Sequence, residues 1–136
     1  VVGYVTFHNP DQCTRWVKHP LILELGAIEV SPDWRKYKIA RNLLTCAFAY
    51  PLLEDRIVLT MEYSWHWDLE GSGLNLWSYQ KMLTGLFGSV GLQKVGTNDP
   101  EIMEHPANVL MARIGRNVPP EAVALFDEIR FEDDAQ

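Results

Sequence analysis

Basic charge is in short supply in this chain. Twelve Lys and Arg stand against 18 Asp and Glu, a formal net charge of -6, which is the wrong sign for a protein whose main surface meets a nucleic-acid backbone. Cysteine is scarce as well: Cys13 and Cys46 are the only two among 136 residues. They lack metal-type spacing and are too few for a disulfide framework, so Cys46 reads as a small core residue. No apolar run reaches the ~20 residues that a membrane-crossing helix needs. No stretch has the basic start and apolar middle of a secretory leader, and the expected setting is the cytoplasm. Repeats, low-complexity tracts and linkers are also missing, so nothing divides the chain.

What is present suits one folded domain, since 47% of the residues are hydrophobic and a chain of this length can bury a core. The stretch 21–49 organises the rest. Residues 21–30 form a mostly apolar run with Gly26 inside it and Ser31, Pro32 and Asp33 closing it, which predicts a central strand with a local irregularity. From Ile39 onward Ile39, Leu43, Cys46, Ala47 and Tyr50 recur at helical spacing, with Leu44 and Phe48 widening the stripe, until Pro51 ends it. Between strand and helix stand Arg35, Lys36 and Lys38, with Arg41 one turn on. Cations there oppose the helix macrodipole at ~0.3–1 kcal/mol each. An anion is the natural complement, because a strand passing through a tight turn into a helix converges several N–H donors on one point. A solvated basic turn is the competing reading on charge alone.

Around this unit, residues 1–7 read as a strand closed by Asn9, Pro10 and Asp11. Residues 13–20 are a connection carrying Trp16 and the loop residue His19, and 56–63 are a second apolar strand. Strand, helix and strand at this spacing imply a right-handed parallel crossover. Residues 64–73 crowd Trp65, His66, Trp67, Asp68 and Glu70 into a loop. The alternating His66, Asp68 and Glu70 would suit a metal only if extended and joined by a further ligand; aromatic capping of the sheet end is the simpler expectation, and no metal is expected. An amphipathic helix follows over 74–87, with Leu76, Tyr79, Leu83, Leu86 and Phe87 on one face and Gly88 at its stop. A short strand over 91–96, a helical turn from Asp99 interrupted by Pro106, and a short helix over 108–114 come next. The last helix starts at Pro119 and turns Ala122, Leu125, Phe126 and Ile129 inward, before the acidic tail of Glu132, Asp133 and Asp134.

The segment from Glu24 to Arg35, continued through Leu43 and Leu44, resembles the acyl-CoA-binding motif of the GNAT superfamily of N-acyltransferases. That motif is a strand ending in Val-x-Pro, then Arg/Gln-x-x-Gly-x-Gly/Ala, then a helix opening toward Leu-Leu. Arg35, Lys38 and Ala40 fall on its three signature positions. Val2 to Thr6, Glu24 to Val30, Glu62-Tyr63 with Trp65 to Leu69, and His105 to Asn108 with Leu110 to Gly115 carry the likeness over essentially the whole chain. These segments are similar to the acetoin-utilisation (AcuA-type) acetyltransferases of that superfamily.

The resemblance implies an α/β (α+β) GNAT fold, a mixed sheet flanked by helices and splayed between two central strands, with acetyl-CoA in the opening. Residues 1–7 would be the third strand of that fold. Residues 1–136 are then expected to be the C-terminal part of a single GNAT domain, its first strands lying outside this sequence, and the start at Val1 inside a strand agrees. A sheet edge exposed there would favour pairing with a second copy as a homodimer. The implied activity is acetyl transfer from acetyl-CoA to a protein lysine, with acetyl-CoA synthetase as the partner that is acetylated and shut down. Neither a nucleic acid nor a membrane is expected as a partner.

An ammonium cannot attack a thioester, so a base must first take its proton. Glu24 lies where GNAT lysine acetyltransferases carry their catalytic glutamate. Glu29, beside the splay, is the alternate, and strict period-two alternation puts it on the opposite strand face. By the same resemblance the backbone of Ile28 and Val30 pairs with the pantetheine arm and polarises the thioester carbonyl. The backbone N–H groups of Arg35, Lys36, Tyr37, Lys38, Ile39 and Ala40 cradle the pyrophosphate, with the Arg35 and Lys36 side chains as salt partners. Two positions depart from the pattern. Lys38 stands where the motif has glycine, and Phe87 where many GNAT enzymes carry a proton-donating tyrosine, leaving Tyr79 and Tyr63 as substitutes. These departures motivate a rival reading, a non-catalytic GNAT-like module that binds and inhibits the synthetase by contact, using the tryptophan-rich loop and C-terminal helices. A metal-dependent hydrolase built on His66, Asp68 and Glu70 is a third.

Overall fold

The computed structural model describes residues 1–132, leaving aside the side chains of residues 36 and 37; the acids at 133 and 134 lie outside the described residues. One mixed sheet contains β1 (Gly3–His8), β2 (Ile22–Val30), β3 (Ile57–Glu62), β4 (Gln93–Val95) and β5 (Val109–Ile114), in the order β1-β2-β3-β5-β4. β2 and β3 are parallel and are joined through helix α1 (Ile39–Phe48), the crossover that strand, helix and strand require. All other neighbours are antiparallel. The arrangement is the GNAT-like fold that the motif implied.

Helices cover both faces. On one, Ile22, Ile57, Leu59, Leu110 and Ala112 pack against Trp16, Ile102 of α4 (Pro100–Met103), and Phe126 and Ile129 of α5 (Pro120–Arg130). On the other, Leu25, Val58, Val109 and Met111 meet Leu44 and Phe48 of α1 and Phe87 of α3 (Leu76–Gly88). Residues 108–114, expected as a helix, are therefore a correction: Val109–Ile114 is the strand between β3 and β4. Val109 and Met111 enter one core and Leu110 and Ala112 the other. A strand buried on both faces shows no polar alternation, and a short apolar run alone cannot be told from a buried helix.

Cys46 is a second correction, since it is exposed. The buried stripe of α1 is centred on Leu44 and Phe48, which lie one turn apart, so Cys46 and Tyr50 point to solvent. The connection between β1 and β2 is anchored by buried side chains. Arg15 Nη1 donates to the carbonyls of Ile129 and Arg130 at 3.2 and 3.1 Å, satisfying orphan carbonyls at the negative end of α5. His19, a loop residue as expected, is only 2% exposed. The Leu21 N–H donates to its Nδ1, so Nε2 bears the proton and donates to the Ala122 carbonyl at 2.8 Å. Among the described residues no helix is long and apolar enough to cross a membrane.

Candidate active site

β2 and β3 pair only over Ile22 to Glu24 and Ile57 to Leu59. Beyond this β2 continues to Val30 and β3 to Glu62 without pairing to one another. The sheet is thus forked, and Glu24 is the last paired residue of β2 at the root of the fork. Its side chain is 7% exposed. Oε1 has no hydrogen-bond partner, while Oε2 lies 3.4 Å from Nδ1 of His8 on β1. Burial raises the carboxyl above its ordinary range; the nearby His8 acts in the opposite direction and Asp11 adds to the rise.

Glu29 requires a correction. Thr6 pairs with Ala27 and Phe7 with Leu25, which leaves Gly26 as an extra residue, a β-bulge in β2. Before the bulge Leu23 and Leu25 face the α1 and α3 core, and after it Ile28 does. The phase of the strand has shifted by one residue, so Glu29 returns to the face that Glu24 occupies. Cross-strand pairing agrees, with Glu24 opposite His8 and Glu29 opposite Tyr4, both even-numbered residues of β1. The two glutamates still differ in setting: Glu29 is exposed, and lines a hollow of about 350 Å³ with Tyr4, Val30 and Arg35. Of the two carboxylates, Glu24 is thus the buried one and Glu29 the exposed one.

Past Val30 the chain makes a 3-10 helix, Pro32–Tyr37, and enters α1 through Lys38. Lys38 has φ 57° and ψ 32°, the left-handed conformation, and is the one non-glycine residue with positive φ among those described. Glycine at this motif position therefore answers a backbone demand as well as a need for close approach. The Lys38 side chain makes no cap at the helix start, and the first N–H groups of a helix, which lack intrahelical acceptors, are the ones an anion would meet. Arg35 folds back instead, its Nε donating to the Val30 carbonyl at 3.2 Å. The side chains of Lys36 and Tyr37 lie outside the described residues. Ile39 and Ala40 form the first turn of α1, and the Ile28 side chain packs at the edge of the α1 and α3 core. The unpaired inner edge of β2 and the uncapped entry to α1 thus lie along one continuous path from the fork.

The other arm of the fork carries Glu62, which sequence reasoning gave no site role, beside the tyrosines that it named. Glu62, at the end of β3, accepts a hydrogen bond from Thr60 Oγ1 at 2.8 Å, and burial raises its carboxyl. Tyr63 stacks on Trp65 with ring centres 4.9 Å apart and donates its hydroxyl to Glu101 Oε2 at 3.2 Å. Burial, then Glu101, holds the phenol well above its usual range, which makes it a poor proton donor. Tyr79 stacks on Trp67 at 5.3 Å, and Phe87 is 1% exposed in the core. Asp68 caps the short helix α2 (Leu69–Ser72) by accepting the Gly71 N–H at 2.8 Å. No group of three or more metal-ligating residues occurs among the described residues. His8 was also missed. The one sign of it in the sequence is Gly26, the irregularity whose bulge brings the ring against Glu24.

No family model matches this chain. Curated relatives do: it is 45% identical to the acetoin utilization protein AcuA of Bacillus subtilis and 44% identical to that of Bacillus licheniformis, in each case over 96% of this chain and 63% of the relative. A crystal structure of an acetoin utilization protein from Exiguobacterium sibiricum superposes with a TM-score of 0.90 at 49% identity, covering 96% of this chain and 63% of that one. The chain thus spans a little under two thirds of the length of these relatives. Sequence and fold together make it, over nearly all of its own length, a homologue of the AcuA acetoin utilization proteins.

Proposed function

We propose that this chain carries the transfer site of an acetyl-CoA-dependent protein lysine N-acetyltransferase of acetoin utilisation, and that its protein substrate is acetyl-CoA synthetase, which acetylation inactivates. The observation that carries the reading is the buried carboxylate of Glu24 at the root of the fork, with Oε1 unpartnered. A desolvated carboxylate with a raised pKa is a stronger proton acceptor than a surface one, and its free oxygen is suited to an incoming ammonium. Acetyl-CoA would lie along the inner edge of β2, with the backbone of Ile28 and Val30 toward its pantetheine arm. Its phosphates would meet the N–H groups from Arg35 to Ala40. Bound there, it supplies the acetyl thioester. Glu24 removes the proton, the amine nitrogen then attacks the acetyl carbon, and the thioester C–S bond breaks as coenzyme A leaves, its thiolate taking up the second proton that the nitrogen loses in forming the amide.

The test is incubation of the protein with acetyl-CoA and purified synthetase, followed by intact-mass and activity measurements. The expected result is an acetyl increment on the synthetase with loss of its activity, both strongly reduced by Glu24→Gln. Inhibition at unchanged synthetase mass would replace the enzyme with a contact inhibitor. Parental transfer by the Glu24→Gln variant would remove Glu24 from the role.

A further inference from the structure

We propose that Tyr63, Trp65 and Glu101 form the seat for the acceptor lysine, its carbon stem lying along the exposed Trp65 ring and its ammonium beside Glu101 on the way to Glu24. The proposal rests on the transferase reading and deepens it by naming the groups that select the acceptor. These residues stand across the fork from Glu24 and share its sheet face. Ile57 and Leu59 of β3 lie in the core beneath α5, and Met61 and Tyr63 continue that face in steps of two. Ile22 of β2 belongs to the same core, two residues before Glu24. The two arms therefore turn Glu24 and Tyr63 toward one opening. Ile102 of α4 packs on this face as well, and its neighbour Glu101 accepts the Tyr63 hydroxyl at 3.2 Å.

A lysine side chain is a hydrocarbon stem ending in a cation, and the seat offers both complements. Trp65 is stacked on Tyr63 with an interplanar angle of 14°, and His66 meets the two rings edge-on. One indole face is covered by this stack, yet the residue is still 52% exposed, which leaves aromatic surface for an alkyl stem and its ammonium. Beyond the rings the surroundings are acidic. Glu101, Asp99 and Glu24, in falling order, act on the Tyr63 phenol, and Asp99 caps α4 by accepting the Glu101 N–H at 3.1 Å.

Neither Asp99 nor Glu101 has an ion pair among the described residues. Both line a hollow of about 470 Å³ whose own cations are committed elsewhere, Lys18 to Glu132 at 2.7 Å and Arg15 to the carbonyls of Ile129 and Arg130. At the inner end stands Glu24, 6% exposed and with Oε1 unpartnered. An acidic rim leading to a buried, unpaired carboxylate oxygen attracts an ammonium and disfavours an acidic acceptor segment. Tyr63 is the positioning residue: its hydroxyl holds the Glu101 carboxylate and its ring backs the indole.

The experiment measures acetyl transfer to purified acetyl-CoA synthetase by the parent protein and by Trp65→Ala, Glu101→Gln, Glu101→Asp and Tyr63→Phe. n-Butylammonium, the lysine side chain without its peptide, serves as a competing ligand, with n-butanol at matched ionic strength as its neutral counterpart. The KM for the synthetase should rise about tenfold in Trp65→Ala and about threefold in Glu101→Gln, with kcat and the KM for acetyl-CoA near parental values. Glu101→Asp should recover part of the loss, and Tyr63→Phe should fall between the parent and Glu101→Gln. Trp77→Ala, which removes a comparably exposed tryptophan on α3, should leave the KM unchanged. Butylammonium should compete with the synthetase in the parent, less well in Glu101→Gln, and butanol should not compete. The seat alone is overturned if transfer depends on Glu24 while Trp65→Ala and Glu101→Gln keep the parental KM, or if butylammonium inhibits no better than butanol. An equal rise in KM for Trp77→Ala and Trp65→Ala also overturns it, since a broad protein contact would then account for both. A parent protein that transfers nothing overturns the transferase reading, and the seat with it.

Discussion

Lys38 offers a quantitative test of how the proposed cofactor loop is built. At φ 57° its backbone is left-handed, which costs an L-residue roughly 1–2 kcal/mol. Its charge adds ~0.3–1 kcal/mol of unfavourable interaction with the start of α1 in the free protein. Lys38→Ala removes the charge and keeps the strain. Lys38→Gly removes both, but frees the unfolded chain at a cost of ~0.4–1 kcal/mol. The glycine variant should therefore exceed the alanine variant in stability by about 0.5–1 kcal/mol, or roughly 2–4 °C in Tm for a chain of this size. Urea melts read the stability difference and calorimetry with acetyl-CoA reads the binding. The glycine variant should bind at least as tightly as the parent, because its backbone can approach the phosphates and the lysine is not needed as a ligand. Equal stability of the two variants would refute the strain argument. A large loss of binding in Lys38→Gly with normal folding would show that the lysine itself holds the cofactor.

Two further perturbations follow from burial. Burial holds the Glu62 carboxyl above its ordinary range. Its contribution to stability is therefore complete below the unfolded pKa and is lost as pH rises through the folded one. Glu62→Gln keeps an acceptor for Thr60 and should be more stable than the parent near neutral pH, with the gap closing on acidification; a gap constant across pH in thermal melts would contradict this. Phe87→Tyr restores the hydroxyl that many GNAT enzymes carry, but places it in a core position 1% exposed. It should cost about 1–3 kcal/mol of stability and leave transfer no faster, and a faster variant would show that the hydroxyl can reach the leaving thiolate.

Much of the fold was legible because the pattern of each element matched its surroundings. α1, α3 and α5 each bury one distinct face, so periodicity marks them, while β2 and β3, buried on both faces, were marked by apolar runs bounded by clear turn signals. The short strand β5 did not fit this rule, because both its faces are buried and its apolar run carries no phase. Cys46 was misplaced by two residues' rotation around α1, an error that a broad apolar stripe permits. At the site, the cationic turn was visible in the residues themselves, while Glu24 was singled out by the resemblance to the GNAT acyltransferases. The geometry of Glu29 was not, since one bulged residue at Gly26 inverts the phase of all that follows.

Local sequence alone determined the strand, turn and helix at 21–49, because its signals are short-range: an apolar run, Ser31-Pro32, and helical spacing up to Pro51. The resemblance to the acyl-CoA motif, not a local pattern, marked Lys38 as the misfit in a glycine position. Only the tertiary structure decided that β2 and β3 part after Glu24, that the carboxylate is buried there with a free oxygen, and that His8 lies against it. Those features depend on which strands pair and over how many residues, a balance of contacts between segments far apart in the chain that no local pattern encodes.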